Sequence, residues 1–218
     1  MIRRDSLADD GTPQWILIGQ VEHARLAGEL AAQWGGPPFA PLPLRDVLLP
    51  AIYRHDDGWA RWERSPGVNR QSGRPLAFTE MPEAEAHHIW RRSIRLVEDL
   101  GPLAQYLVAS HFADLRRRGD GADSRAGKEF ARQQDDECRR RLGDWTQQDL
   151  KRRGPEWARH ALEYLQMFDG LSLWFCCHEQ TESLRALTPD GQRLTLRPVS
   201  RERVVVSPWP FTLPRLTP

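Results

Sequence analysis

The stretch on which the fold prediction depends is Ile52-Tyr53-Arg54-His55-Asp56-Asp57-Gly58-Trp59, in which a histidine and two carboxylates interrupt an apolar pattern. If these residues continue one helix, the His55 imidazole faces the same side as Leu48 and Ile52, where a core would lie. Asp56 follows about 100° further round the helix, so both groups reach one cleft between helices. An uncompensated buried charge is costly, and a divalent cation is one partner that removes the cost. We therefore interpret His55 and Asp56 as adjacent metal ligands.

The same stretch also fits an ordinary helix C-terminus. Asp56-Asp57-Gly58 would then be a polar end with glycine in it, and a histidine near the last turn interacts favourably with the helix dipole. The eight residues leave both interpretations open, so the choice depends on the rest of the chain.

The composition is typical of a globular chain. The 218 residues are 39% hydrophobic and include nine tryptophans, which is enough to bury a core. We expect a single domain over residues 1–218, with a helical core and an initial strand over 14–177 and a small β appendage over 183–218. Residues 1–13 are expected to be a loose leader. No run approaches the ~18 apolar residues of a membrane helix, so we expect a cytoplasmic protein that has no membrane partner.

Charge and cysteine usage limit the classes of partner and the cellular compartment that we expect. The 31 basic residues include only two lysines, Lys128 and Lys151, and the net charge is +1. Because 30 acidic residues balance the arginines, we expect no nucleic-acid partner. The three cysteines have no CxxC spacing, which favours a reducing compartment over a disulfide framework or a thiolate zinc site.

Apolar periodicity and breaker residues predict a series of helices. Leu26, Leu30 and Trp34 share one face of a helix from residue 20 to 34, which ends at Gly35-Gly36-Pro37-Pro38. Further helices are predicted through residue 55, from 82 towards 100, from about 103 to 118, within 119–154, and from about 155 onwards. Residues 65–82 are predicted to form a long loop. The charge runs, including the arginines at 116–118, are interpreted as the solvated face of a helix.

Beyond Cys177 the pattern changes to short strands. Residues 185–187 and 193–196 flank the turn Pro189-Asp190-Gly191, and residues 204–206 suggest a further strand. Residues 15–18 form either an initial strand that could join this sheet or a segment packed on the core. The predicted fold class is therefore mainly α, with a small flanking β-sheet.

Residues of metal-ligand type recur on the apolar faces of four predicted helices: His23, His55 with Asp56, His111, and Asp169. A lone histidine on such a face is most often a satisfied core residue, and Asp169-Gly170 could mark a helix interruption. Several such residues together favour a shared site. Histidine with carboxylate suits Mn, Fe, Co, Ni, Zn or Mg, and the lack of thiolates disfavours a structural zinc.

The order His23, His55-Asp56, Asp169 is similar to the H…HD…D signature of the HD-domain metal-dependent phosphohydrolases. That resemblance implies an HD-domain-like helical bundle in which His23, His55, Asp56 and Asp169 are the metal ligands. Two-metal members of that group use further histidines between HD and the last aspartate. Because this chain offers His111, supplemented at most by His88, the resemblance implies a single metal ion.

A second resemblance covers most of the chain. It is carried by seven motifs: His23-Ala24-Arg25-Leu26-Ala27-Gly28, Trp34-Gly35, His55-Asp56-Asp57-Gly58-Trp59, Gly73-Arg74-Pro75 with Phe78, Ser110-His111, Asp169-Gly170-Leu171-Ser172-Leu173 and Pro208-Trp209-Pro210-Phe211. Together they resemble a bacterial domain family of unknown function. The resemblance implies a shared fold and a shared site, and it brings no established activity.

The leading hypothesis is a metal-dependent hydrolase of a phosphate ester or a nucleotide-like small molecule. Asp57 or His111 would act as general base or hydrogen-bond the leaving group. Arginine binds oxyanions in a bidentate way, so basic side chains are the candidates for holding the substrate phosphate. The candidate substrate-binding residues are Arg54, Arg74, Arg91 and His88.

Two other functions stay open. Because His/carboxylate sites in helical bundles also hold iron, the chain could be an iron-dependent, oxygen-using enzyme, for which Glu85 to His88 supplies a Glu-x-x-His spacing. Alternatively the buried His/Asp network is structural, and exposed Trp62 or Trp209 contacts a partner of a non-catalytic helical binding module. The sequence carries no signal for oligomeric state.

Overall fold

A computed structural model describes residues 1–119, 121–148, 154–177, 182–200 and 203–217. The helices are α1 (Gln20–Ala32), α2 (Arg45–Arg54), α3 (Ala60–Glu63), α4 (Glu83–Leu96), α5 (Pro102–Arg118), α6 (Arg125–Gln148) and α7 (Pro155–Cys177). The strands are β1 (Ile2–Leu7), β2 (Pro13–Ile18), β3 (Leu184–Leu187), β4 (Arg193–Ser200) and β5 (Arg203–Ser207). Short 3₁₀ turns occupy Asp57–Trp59, Phe78–Glu80 and Glu98–Leu100. The predicted mainly α class with small sheets is confirmed.

Helix α5 lies at the centre of the helical layer. Its residues 103–109 are all buried, as expected for a helix that is covered on every side. Helices α2, α4, α6 and α7 pack against it, and α1 closes the bundle against α2 and α7. Within the described ranges, no helix is both long and apolar enough to cross a membrane.

The strands form two separate antiparallel sheets. β3, β4 and β5 follow each other in one sheet, which confirms the predicted C-terminal hairpin and third strand. β1 pairs with β2, with Ile2 opposite Ile18, so the expectation of a loose leader over residues 1–13 is wrong. The expectation that residues 15–18 could join the C-terminal sheet is wrong as well, since β2 pairs with β1. Polar residues 3–6 concealed β1 because they show no apolar alternation.

One helix boundary differs from the prediction. α2 ends at Arg54, and Asp56 has φ −108° and ψ 14°, so no continuous helix runs from residue 52 to 59. The helix C-terminus interpretation is right for this backbone, yet His55 and Asp56 are only 1% and 6% exposed. Asp169 and Gly170, in contrast, interrupt nothing, because α7 continues through both. Although the chain changes direction after Arg54, the side chains of His55 and Asp56 remain inside the bundle.

Gly58 allows the turn after α2 to approach α4 closely. A Cβ at this position would lie 2.3 Å from the carbonyl oxygen of Ile89 and 2.6 Å from the backbone nitrogen of Ser93. The backbone N–H of Gly58 donates to Ser93 Oγ at 3.0 Å. Because backbone atoms of α4 cannot move aside as a side chain can, this close contact explains the glycine of the His-Asp-Asp-Gly-Trp motif.

The C-terminal Pro-Trp-Pro-Phe motif has a structural role. The carbonyl oxygen of Pro210 accepts hydrogen bonds from the backbone N–H groups of Gly35 and Gly36, at 3.0 and 2.8 Å. The Phe211 ring packs edge-on against Trp34, with a centroid distance of 6.1 Å. This motif therefore closes the end of α1 rather than contributing to a site.

We expect Gly58→Ala to lower the free energy of unfolding by about 1–3 kcal/mol or more, since the new methyl group must overlap backbone atoms of α4. Gly143→Ala is the matched control, because Gly143 lies within α6 and a Cβ there has nothing within 4 Å. The control should be neutral or stabilising by up to about 1 kcal/mol. Urea denaturation of both variants measures the difference, and equal effects would contradict the close-packing explanation.

Candidate metal centre

Five buried side chains from four parts of the bundle meet at one place. His23 comes from α1, His111 from α5 and Asp169 from α7, while His55 and Asp56 come from the chain just after α2. Their exposed fractions are 1% for His23 and His55, 2% for His111, 6% for Asp56 and 8% for Asp169. The structure thus brings together the four residues predicted as metal ligands, with His111 beside them.

The donor atoms lie within a few ångströms of one another. His23 Nε2 is 3.5 Å from Asp56 Oδ2 and 3.2 Å from Asp169 Oδ1. His55 Nε2 is 3.8 Å from Asp56 Oδ2 and 3.3 Å from Asp169 Oδ1. In each of the groups His23–His55–Asp56 and His55–His111–Asp169, one donor atom from every residue lies within 4.8 Å of the others. Such spacing is compatible with ligands around one cation at bond lengths of about 2.0–2.2 Å.

Hydrogen bonds on the far side of two imidazoles turn their Nε2 atoms towards this centre. His55 Nδ1 lies 2.8 Å from the carbonyl oxygen of Ile52, which can only accept, so Nδ1 carries the proton. Ser172 Oγ donates to the Asp169 carbonyl oxygen at 2.9 Å, so it accepts from His23 Nδ1 at 2.7 Å. Partners of this kind orient metal-binding histidines and leave the other nitrogen free to act as ligand.

Two imidazole nitrogens of the centre are buried without a well-aligned hydrogen bond in the described part of the chain: His55 Nε2, which keeps its ion-pair contact with Asp169 at 3.3 Å, and His111 Nδ1. A buried polar atom left unpaired costs roughly 1–3 kcal/mol, so several at one place call for a partner. Imidazole nitrogens facing carboxylate oxygens form a donor set for borderline divalent metals such as Mn, Fe, Co, Ni and Zn. The residues present therefore fit a divalent cation.

The charges of the centre are set by burial and by the two carboxylates. Burial is the largest effect on His23 and opposes its protonation, but Asp169 and Asp56 outweigh it and raise the pKa of His23 to about 9. Burial also lowers the pKa of His55, but Asp56 and Asp169 outweigh it, so the pKa of His55 is raised. For His111 burial prevails and lowers the pKa to about 4. Burial alone would raise the pKa of Asp169, but the neighbouring histidines lower it. Protons on histidine thus compensate the buried carboxylates in the metal-free protein.

The centre opens into a cavity of about 590 Å³. His23, Asp56, His111 and Asp169 line its inner end. Its walls are largely apolar and include Trp59, Phe78, Met81, Trp90, Phe112, Leu115 and Leu173. An apolar cavity of this size with a few convergent polar groups is the usual form of a small-molecule site.

The structure does not bring the other predicted site residues to this cavity. Asp57 points away because the 3₁₀ turn begins there, and its Oδ2 accepts from Arg54 Nε at 3.1 Å. Arg54 also pairs with Asp99 at 2.8 Å, and Arg74 pairs with Asp5 at 3.1 Å. Arg91 lies over the Phe130 ring, 5.1 Å from its centroid, and His88 is exposed. In the described residues none of these five side chains lines the cavity, so the roles predicted for them in catalysis and phosphate binding need other residues.

Arg116 is the cavity residue that sequence reasoning missed. It is 6% exposed and lines the cavity, although we interpreted the arginine run 116–118 as a solvated face. That interpretation is wrong for Arg116 and holds for exposed Arg117 and Arg118. The available signal was helical spacing, because Arg116 follows buried Phe112 by four residues and so shares its face.

Comparison with known proteins adds family membership. One family model, described as a protein of unknown function (DUF3891), matches residues 1–217. The chain belongs to this family. No curated protein and no solved structure matches the chain. Membership in DUF3891 confirms the resemblance to a family of unknown function, and the chemistry has to be argued from the geometry of the centre.

We expect Ser172→Ala to weaken metal binding by about 10- to 100-fold while the fold is kept, because His23 loses the hydrogen bond that orients it. Isothermal titration of the metal-free protein with Zn²⁺ or Mn²⁺ measures the change. Ser110→Ala is the control, since Ser110 Oγ contacts Cys138 Sγ and no histidine of the centre. Equal affinities for Ser172→Ala and the control would exclude an orienting role.

We also expect metal binding at pH 7 to release protons. A cation needs the neutral imidazole, and the pKa of about 9 means that His23 is protonated at pH 7. The apparent affinity should therefore rise as the pH rises from 7 and level off above about 9. Calorimetry in two buffers with different protonation enthalpies counts the released protons. A heat of binding independent of the buffer would contradict the assignment of His23 as a ligand.

Proposed function

We propose that the protein is a metal-dependent hydrolase of phosphate esters or nucleotide-like small molecules, with one divalent cation held by His23, His55, Asp56 and Asp169. The observation that carries the proposal is the convergence of these four buried side chains, three of which, His23, Asp56 and Asp169, also line an apolar cavity. The H…HD…D order supports the same chemistry by resemblance.

Each residue of the centre has a definite task in this proposal. The cation supplies Lewis-acid polarisation of a phosphoryl oxygen and a lowered pKa for a water molecule. Asp56 and Asp169 supply negative charge that favours a divalent ion over a monovalent one. His23 and His55 present Nε2 in a fixed orientation, because their Nδ1 atoms are hydrogen-bonded.

His111 is suited to positioning rather than to strong base catalysis. Its lowered pKa, about 4, keeps the imidazole neutral at pH 7, and its buried Nδ1 has no hydrogen-bond partner among the described residues. A neutral imidazole can hold a water molecule or the leaving-group oxygen by a hydrogen bond. Of the two residues predicted for acid–base roles, His111 is the one whose location supports such a role.

The arrangement favours this function over the two alternatives. Trp62 and Trp209, the predicted contacts of a binding module, are both partly covered, and each packs against another aromatic ring, at 5.7 and 5.0 Å. Glu85, the carboxylate of the Glu-x-x-His spacing, is exposed. Within the described residues the centre therefore has two carboxylates, which suits a single ion better than a di-iron site.

Metal content and phosphatase activity test the proposal directly. Protein purified without a His tag should contain near-stoichiometric Mn, Fe, Co, Ni or Zn by elemental mass spectrometry. The double variant His55→Ala/Asp56→Ala should contain none and should lose hydrolysis of p-nitrophenyl phosphate or its diester by about 100-fold or more. The matched control His88→Ala/Asp57→Ala removes the same residue types outside the cavity and should keep both metal and activity.

Thermal unfolding with and without a chelator checks the same cation independently. A ligand that binds the native state alone stabilises it, by about 2.7 kcal/mol at 100 times the dissociation constant. A wild-type protein that contains no metal and takes up none would overturn the proposal in favour of the binding module. Bound iron with oxygen consumption and no phosphatase activity would favour the iron enzyme.

A further inference from the structure

Arg116 is a buried cation at the wall of the cavity. Its side chain is 7% exposed, and its Nε has no hydrogen-bond partner in the described ranges. A guanidinium carries five N–H donors in a fixed fork that matches an oxyanion. The described part of the chain therefore leaves this fork largely available.

Within the described residues Glu83 forms an ion pair with Arg116, and it compensates the charge without saturating the donors. Glu83 Oε1 is 3.6 Å from Arg116 Nη1, beyond hydrogen-bond distance. The same oxygen accepts a hydrogen bond from Ser124 Oγ at 2.5 Å, and Glu83 lies in the first turn of α4. Ser124 and the helix N-terminus thus stabilise the Glu83 carboxylate. A bound anion can therefore replace Glu83 as the partner of the guanidinium without leaving Glu83 unpaired.

Gly121 lies against the guanidinium of Arg116. Gly121 has φ +83°, and a Cβ there would lie 2.9 Å from Arg116 Nη2. Gly119 and Gly121 both line the cavity beside Arg116. Glycine at residue 121 therefore leaves room for the charged group at the cavity wall.

Arg116 and the metal centre line different parts of one cavity. His111 and Arg116 are both on α5, and five residues correspond to about 7.5 Å along a helix axis. Between them the wall is aromatic: Trp90 stacks on Phe112 at 5.2 Å with an interplanar angle of 14°. A ligand that spans both ends must therefore have an apolar or aromatic middle.

We propose that Arg116 binds a second oxyanion of the substrate, so that the substrate is a phosphate ester whose apolar or aromatic body carries a carboxylate or a further phosphate at its far end. For its phosphate end this inference rests on the proposed function. The Arg116 end is independent of the metal. The two ends can therefore be tested separately.

Binding of three probes to the metal-loaded protein tests the inference. Benzylphosphonate occupies the metal end and the aromatic middle, 4-carboxybenzylphosphonate adds the second anion, and 4-methylbenzoate carries that anion alone. Tryptophan fluorescence and calorimetry measure the dissociation constants. In the wild type the added carboxylate should tighten binding by about 10-fold or more, as expected for a hydrogen bond to a charged group.

The carboxylate advantage is the ratio by which 4-carboxybenzylphosphonate binds more tightly than benzylphosphonate. Arg116→Gln should abolish this advantage and leave benzylphosphonate binding unchanged. Arg117→Gln, which changes the exposed neighbour, should keep it. Glu83→Gln should increase the advantage, because it removes the competing negative charge while keeping an acceptor for Ser124. This opposite sign distinguishes anion binding from a loss of structure. If Arg116→Gln does not fold by circular dichroism, Arg116→Lys, which keeps the charge and loses the fork, takes its place and should reduce the advantage.

The inference is overturned if the carboxylate gives no advantage in the wild type, or if the advantage survives in folded Arg116→Gln. Failure of the proposed function has a different signature. In that case benzylphosphonate would show no metal-dependent binding, while 4-methylbenzoate would still require Arg116 and would still bind the His55→Ala/Asp56→Ala variant. Metal-dependent binding of benzylphosphonate without any effect of Arg116 would leave the proposed function intact and exclude the second anion site.

Discussion

The need to compensate buried charge at the His/Asp centre organises this protein. Two carboxylates and three imidazoles lie within the bundle at exposed fractions of 8% or less, and burial of unpaired charge is among the most costly events in folding. The compensation involves every element around the centre. The carbonyl oxygen of Ile52 and the hydroxyl of Ser172 orient two imidazoles, the raised pKa of about 9 keeps a proton on His23 at pH 7, and His111 stays neutral. A divalent cation would replace the protons with one concentrated charge.

The backbone after α2 shows how local geometry separates two neighbouring carboxylates. Asp56 is buried at the centre, whereas Asp57 begins a 3₁₀ turn and pairs with Arg54 near the surface. Gly58 makes this possible because its missing side chain lets the turn contact the backbone of α4. One short motif therefore supplies two donors, a change of chain direction and a packing contact. The Pro-Trp-Pro-Phe motif, equally prominent in the sequence, supplies backbone hydrogen bonds and ring packing at the end of α1.

Much of the helical layer could be predicted, and the failures have physical causes. Apolar periodicity located α1, α5 and the long C-terminal helix to within a few residues, because each buries a continuous stripe. β1 was missed because its residues do not alternate between apolar and polar, and the strand is defined by its pairing with β2. Arg116 was missed because three consecutive arginines suggest solvent, although one of them must follow the buried face of α5. The arginines proposed for phosphate binding lie elsewhere, because Arg54 and Arg74 form surface ion pairs and Arg91 lies over the Phe130 ring.

The sequence by itself determined the mainly α class, the family, and the set of four ligand-type residues on apolar faces. Those properties depend on residue type and on spacing along one helix, which a sequence records directly. The tertiary structure decided that the four residues meet, that His111 joins them, and that Arg116 lines the same cavity. Convergence depends on how separate helices pack, and the packing is set by contacts between residues far apart in the chain, such as Ser172 with His23 and Gly58 with Ile89. No spacing within a single helix contains that information.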